Sequence, residues 1–323
     1  LIIESISVLL FALVIDFVFG DPKNKFHPTA WIGSLISKLV PLTKSNSNYA
    51  EKLGGMLLVL SVSAIVSFSI IILDLGINLI TIDYVHLLIS IVVGSILLKT
   101  TIAIESMENH AKNVMLALEQ DNLDSARNHL SMIVKRNTKN LDKIHVYSGV
   151  IESISENTVD GITAPLFYYG LFGILGALVY RVINTIDSMI GYKNNIFRNI
   201  GWFGANCDNV LNYLPSRLTA LVMILSAIIL GHNWKNSYQI MIRDGNKTQS
   251  PNAGYPMAAI AGALETRFEK INHYSLGDGG VSLSTQHVKS TISLMKTTSI
   301  LFSVVIVLPI IVLLNYLGWW IHA

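Results

Sequence analysis

The sequence has a single cysteine, Cys207, among 323 residues. That excludes an intramolecular disulfide and any thiolate metal cluster. Charge is scarce too: 14% of residues are charged, against roughly 25% in soluble globular domains. The net charge is only +2, and no basic stripe interleaved with aromatics appears, so nucleic acid is not an expected partner. No GxxxxGK[ST] run occurs, so any ATP site is not a P-loop. Neither an internal repeat nor a low-complexity segment is visible. What fills the chain instead is apolar sequence, 51% of residues with a mean hydropathy of +0.52, which places it among membrane proteins.

Runs at 1–19, 56–73, 85–104 and 298–318 are long enough to cross a bilayer core. The first lacks a basic n-region and a small-residue cleavage site, so it reads as a retained span rather than a signal peptide. Two further runs, 164–180 and 218–231, are shorter and more typical of re-entrant or buried segments. The expectation is an all-α polytopic membrane protein with about four full spans plus two short or re-entrant segments. Lys23, Lys25, Lys38, Lys44 and Lys52 crowd the first loop, whereas the second holds Asp74 and Asp83. By the positive-inside rule the first loop is cytoplasmic and the amino end lies outside. Residues 105–145 then read as a cytoplasmic helical hairpin and 232–297 as a cytoplasmic loop region, all within one membrane-embedded domain over 1–323. In the hairpin, Met107, Ala111, Val114, Met115 and Leu118 share one helical face. Leu123, Ala126, Leu130, Ile133 and Val134 share another, with the turn at Asn122. Trp319 and Trp320 read as an interfacial anchor.

Ionisable groups beside or inside a low-dielectric layer are costly and mark sites. They concentrate between Glu152 and Arg217. Glu152, Glu156 and Asp160 are spaced four and four, which aligns them on one helix face. Such a stripe either faces water or meets a divalent cation or an arginine. Tyr180, Asn184, Asp187 and Ser188 also fall at helical spacing. Asp16 is either an interfacial carboxylate or part of a helix face turned toward a site. Asp21 and His27 occupy a turn fixed by Gly20, Pro22 and Pro28. Lys135, Arg136 and Lys139 form a small basic patch that meets an anion or faces water. Asn252, Ala253 and Gly254 precede a small-residue helix whose first backbone amides suit a phosphate, with Arg243 and Lys247 close in sequence. GDGG at 277–280 reads as a tight turn.

Five stretches, in order, carry a resemblance: GDP…HP…IG (20–33), ENTVDGITAPLFY (156–168), YRVINTIDSMIGY (180–192), NYLPSRLTA (212–220) and RDG…SPNAGYPMAAIAGAL (243–264). The chain resembles the adenosylcobinamide-phosphate synthases, membrane enzymes of cobalamin biosynthesis, over nearly its whole length. Two positions depart from that family's pattern. Asn137 stands where an aspartate is expected, and Asn209 follows Asp208 where a second acid is usual.

The resemblance implies ATP-dependent formation of an amide between adenosylcobyric acid and aminopropanol phosphate, or aminopropanol itself. ATP, Mg2+ and a corrinoid substrate are implied with it, as are the lipid bilayer and other enzymes of the same pathway as partners. A carboxylate is a poor electrophile and would be activated, most simply as an acyl phosphate. Phosphoryl transfer needs a metal ion and cationic groups to offset charge, and the amine needs a base. Glu156, Asp160, Asp187 and Asp208 are the candidate catalytic carboxylates, with Asp160, Asp187 and Asp208 as candidate Mg2+ ligands. Arg181, Arg217 and Arg243 would hold phosphate, since guanidinium matches phosphate oxygens bidentately. Asp21, His27, Asn157, Asn184, Ser188, Asn212, Asp244, Ser250, Asn252 and Gly254 complete the expected binding set. A transporter, or a non-catalytic membrane sensor on the same scaffold, is the alternative. The first would use the same broken apolar segments and helix-start amides, but no repeated pair of halves is present.

Overall fold

A computed structural model describes residues 2–22, 25, 27–192, 196–279 and 282–319. Lys23 of the first basic loop, residues 193–195 of the second polar cluster, Gly280 of the GDGG turn and Trp320 of the aromatic anchor lie outside the described residues.

The first five helices are α1 (Ile2–Phe19), α2 (Pro28–Leu39), α3 (Asn48–Asn78), α4 (Asp83–Lys99) and α5 (Ile104–Glu119). Next come α6 (Leu123–Ser131), α7 (Lys143–Thr158), α8 (Ala164–Ile190), α9 (Trp202–Leu211), α10 (Tyr213–Ile229), α11 (Trp234–Asp244) and α12 (Gly254–Ala263). A short hairpin of β1 (Phe268–Lys270) and β2 (Tyr274–Leu276) precedes α13 (Thr285–Phe302) and α14 (Leu308–Tyr316). Among the described residues five helical runs are long and apolar enough to cross a membrane, or six if α9 and α10 count as one broken span. The protein is an all-α, multi-pass membrane protein. Two helices begin well before the apolar segments that announce them, whereas α4 stops at Lys99, short of the expected 104. α3 starts at Asn48 because Ser47 caps it, accepting from the Ala50 amide, and α13 starts 13 residues before the expected span at 298.

The chain divides into two compact units, Leu1–Ala103 with Ala164–Leu211 and Val305–Ala323, and Ile104–Thr163 with Asn212–Val304. In the first unit α1 and α4 run in the same direction, since Val8 lies against Gly94 and Asp16 against Lys99. A Cβ on Gly94 would come within 3.0 Å of the Val8 side chain. A core of Ile32 and Ile36 from α2, Leu58, Val59 and Val62 from α3, and Val182, Ile186 and Ile190 from α8 joins these three helices. Gly55 is needed there, because a Cβ would stand 2.0 Å from the Ile200 carbonyl oxygen. The outer faces stay apolar and exposed, as at Leu57, Leu60, Phe68 and Leu75 of α3. Such faces suit lipid, not water.

α8 contains the short segment 164–180, and it is broken. Phe172 (φ −134°, ψ 18°) and Gly173 (φ 62°, ψ −157°) leave helical geometry. Only glycine enters the latter region without strain. The break makes this an interrupted helix, but the run that contains it, Lys143–Ile190, is one of the five long enough to cross, so the shortness of 164–180 does not by itself make it re-entrant.

In the second unit α5 and α6 form the expected hairpin. Met107, Ala111, Val114, Met115 and Leu118 are all buried, and the Asn122 side chain caps α6 at the Ser125 amide, 2.9 Å away. α6 stops at Ser131, short of Ile133 and Val134 of its expected face, which are half-buried in the following loop. The β-hairpin has no counterpart in the sequence reading. It buries Phe268 and Leu276, pairs them directly, and turns through Asn272 at φ 62°.

Candidate functional site

In the first unit, Asp16 of α1 is fully buried and Lys99, which ends α4, is only 3% exposed. Their charged atoms stand 2.9 Å apart. The same ammonium bonds Asp21 in the loop after α1. Asp16 therefore takes the inward of its two readings. His27 Nδ1 accepts from the Thr29 amide and caps α2, which puts its proton on Nε2, the nitrogen 3.5 Å from Asp21. Burial alone would raise the Asp21 carboxyl, but His27 and Lys99 overrule it and hold the pKa at about 2.

Further along that unit, Arg181 donates to the Asn184 side-chain oxygen at 3.3 Å, and Asn184 donates to Asp208 at 3.2 Å. Asn184 is 6% exposed and Asp208 8%. Tyr168 and Tyr180 stack nearby with centroids 5.3 Å apart, and the Tyr168 hydroxyl donates to the Leu211 carbonyl. Asp187 is half-buried one turn beyond Asn184, and Ser188 faces outward. Gly191 leaves room for the Asp187 carboxylate, which a Cβ would approach to 2.1 Å. Arginine, amide and carboxylate from α8 and α9 are thus brought together.

In the second unit Glu152 and Glu156 lie four apart within α7, as the stripe expects, but Asp160 falls beyond that helix. Glu152 is 2% exposed, Glu156 is exposed, and Asp160 is half-buried. A π-helical turn at Val159–Thr163 follows α7; its wider turn takes Asp160 off the four-residue register. Of the two partners considered for the stripe, an arginine meets Glu152: Arg136 bonds its Oε2. Ser148 donates to its other oxygen at 2.7 Å and the Tyr274 hydroxyl to Oε2 at 2.6 Å. Burial and that neighbouring carboxylate push the Tyr274 hydroxyl well above its ordinary pKa, so it remains a donor. Asn157 donates back to the Ser153 carbonyl at 2.9 Å.

The loop before α12 is built around Arg217. Its guanidinium lies over the rings of Tyr213 and Tyr255, 3.6 and 4.3 Å from their centroids. It also donates to the Asn252 side chain at 3.1 Å and to the Pro251 carbonyl. Ser250 Oγ accepts from the Asn252 and Ala253 amides, both at 3.3 Å. Gly254 opens α12 against the Gly245 carbonyl, which a Cβ would meet at 2.2 Å, and Asn212 is buried just before α10. Arg243 is engaged otherwise, making paired bonds to the carboxylates of Asp244 and Asp278. Asp244 is completely buried. Beyond Arg243 it takes Lys247 at 2.5 Å and the Gly277 amide at 2.9 Å. Burial would raise its carboxyl, yet these donors hold it at about 2. This is a clamp between α11 and the hairpin's end.

Among the described residues no three His, Cys, Asp or Glu side chains are arranged to hold a metal ion. A cage made by protein alone is therefore absent there. Any Mg2+ held among them would have to be shared between one or two carboxylates and the phosphates of a substrate. Sequence reading missed Lys99, the Arg136–Glu152 pairing, Tyr274 and Asp278. Lys99 alone left a signal, a lysine closing an otherwise apolar run.

Buried ion pairs and amide–carboxylate pairs on apolar helices define a multi-pass membrane protein with polar sites built into its helices. The family model described as CobD/Cbib protein matches residues 9–301, and the chain belongs to that family. It is 37% identical to the probable cobalamin biosynthesis protein CobD of Methanothermobacter thermautotrophicus, over 93% of this chain and 96% of the relative. It is 38% identical to the cobalamin biosynthesis protein CobD of Leptospira interrogans, over 90% and 93%. The protein of that name in Dehalococcoides mccartyi is 36% identical over 91% and 93%. No solved structure matches it.

Proposed function

We propose that this chain acts in cobalamin biosynthesis as an adenosylcobinamide-phosphate synthase. It would join adenosylcobyric acid to aminopropanol phosphate, or to aminopropanol, with ATP as the energy source. The observation that supports this most is family membership across residues 9–301, with relatives named for cobalamin biosynthesis.

Asp208, oriented by Asn184, is the first candidate to share Mg2+ with phosphate oxygens, and the ion would offset charge on the transferring phosphoryl group. Asp187, on the same face of α8 and half-buried, is the candidate base for the amine. Arg181 neutralises phosphate beside them. In the second unit, taken by itself, Ser250, Asn252 and the start of α12 are candidates to bind an anionic group, with Arg217 fixing the loop's shape. Asp160 and Glu156 remain candidate carboxylates of the second unit, and Asp21 and His27 of the first. The active site would face the cytoplasm, since the loop carrying Lys25, Lys38, Lys44 and Lys52 also carries Asp21 and His27.

The test is purified protein in detergent with adenosylcobyric acid, aminopropanol phosphate and Mg-ATP. Cobinamide phosphate and ADP should form together. Asp187→Asn should lower kcat by about a hundredfold or more while thermal unfolding stays near wild type. Near-full activity in that variant would remove Asp187 from the mechanism. Movement of substrate across liposomes with no product would replace the ligase reading with transport.

A further inference from the structure

The first unit contains a cavity of about 600 Å³ between α1, α3, α4 and the break in α8. That is within the range of roughly 300–1,000 Å³ common for ligand pockets. Its depth is apolar, lined by Val8, Ile70, Val93, Leu97 and Phe172. Two carboxylates, Glu4 and Asp74, also line it, and among the described residues no lysine, arginine or histidine does. Both acids lie toward the helix ends remote from Lys99. Glu4 is in the first turn of α1, twelve residues before Asp16, or about 18 Å along the axis. Asp74 is in the last turns of α3. This is therefore a different place from the Asp16–Lys99–Asp21–His27 cluster.

The wall is held open by the break itself. Tyr169, just before it, donates its hydroxyl to the Ser5 carbonyl at 2.7 Å, tying the interrupted helix to α1. Gly173 and Gly176 then bring bare backbone to the cavity. Asp74 accepts from Asn78 at 3.1 Å, and Asn78 in turn meets His86 at 3.0 Å, so the charged rim has order of its own.

We propose that this cavity binds an amine-headed phospholipid. An acyl chain would occupy the apolar depth, with the ammonium at the level of Glu4 and Asp74. Charge complementarity selects the head: an anionic lipid would place its charge against two carboxylates. The depth selects a lipid over a soluble amine, because Ile70 to Asp74 and Ser90 to Leu97 run along the spans, inside a leaflet of about 15 Å. The inference does not rest on the ligase reading and is tested without turnover.

The experiment is native mass spectrometry of the full chain in detergent, offered equimolar palmitoyl-oleoyl phosphatidylethanolamine and phosphatidylglycerol. The ethanolamine lipid should dominate the bound population. The double variant Glu4→Gln/Asp74→Asn should lower its occupancy about fivefold, as expected for the loss of two partly exposed charge pairs. Val93→Trp, which fills the cavity, should remove both lipids. Should that variant lose monodispersity, the carboxylate pair decides. Equal retention of the two lipids by wild type, an unchanged preference in the double variant, or full retention by well-folded Val93→Trp would each mean adventitious annular lipid only and overturn the proposal.

Discussion

At Lys99 one ammonium serves two carboxylates, Asp16 and Asp21, and the first of these is fully buried. Removing one partner of a buried pair strands the other charge and costs about 3–5 kcal/mol, whereas replacing both with apolar groups is often close to neutral. Lys99→Met should therefore destabilise the protein strongly. Lys99→Met/Asp16→Leu should recover most of the loss, since Asp21 is part-exposed and keeps His27. Thermal unfolding in detergent of the two singles and the double checks this; equal losses in Lys99→Met and the double would show that the pair is not coupled. Asp244 offers another case, with a pH signature. Its folded pKa of about 2 lies below the ordinary 3.8, so the unfolded chain binds more protons between those values. The stability it contributes is present above about pH 4 and lost as pH falls toward 2, about 2 kcal/mol in all. Asp244→Asn should flatten that limb of the stability–pH curve and leave it unchanged at neutral pH apart from a uniform drop.

At the scale of the element, the break in α8 is the feature to disturb. Gly173→Ala forces a side chain into a backbone region that tolerates almost none, at about 1–3 kcal/mol. The expected result is a lower unfolding temperature, with Gly231→Ala, a positive-φ glycine with open space around it, losing less. If the two cost the same, the break carries no special strain. Elements are also where the sequence is most legible. The α5–α6 hairpin, its capping residue and its buried face follow from 3.6-residue periodicity and one asparagine. The shortness of 164–180 points to an interrupted segment, although nothing in the residue pattern places the interruption at Gly173. The expected alignment of Asp160 with Glu152 and Glu156 misleads for a related reason. A π-helical turn is set by packing and leaves no mark on spacing. Arg136 and Tyr274 reach Glu152 across 16 and 122 residues, separations that local pattern cannot see. The clustering of Arg181, Asn184 and Asp208 is half legible: helical spacing places the first two together, and only the packing of α9 on α8 brings the third.

For the molecule as a whole, orientation in the bilayer is the property most open to a direct test. In a Cys207→Ser background, a cysteine at Ser45 in the first loop should resist an impermeant thiol reagent added outside intact cells. One at Thr81, between α3 and α4, should label readily. The opposite pattern would turn the protein over and move the proposed active site to the other face. The five long apolar runs among the described residues mark a multi-pass membrane protein, and the family match covers residues 9–301.

Biogenesis gives the Asp16–Lys99 contact a further meaning. Synthesis runs from the amino end, so α1 enters the bilayer with its aspartate well before the ribosome has made the lysine that neutralises it. A nascent chain arrested short of α4 would carry a lone acid in hydrocarbon. Such a chain should be held at the translocon or degraded, and extension far enough for Lys99 to leave the ribosome and reach the bilayer should release it.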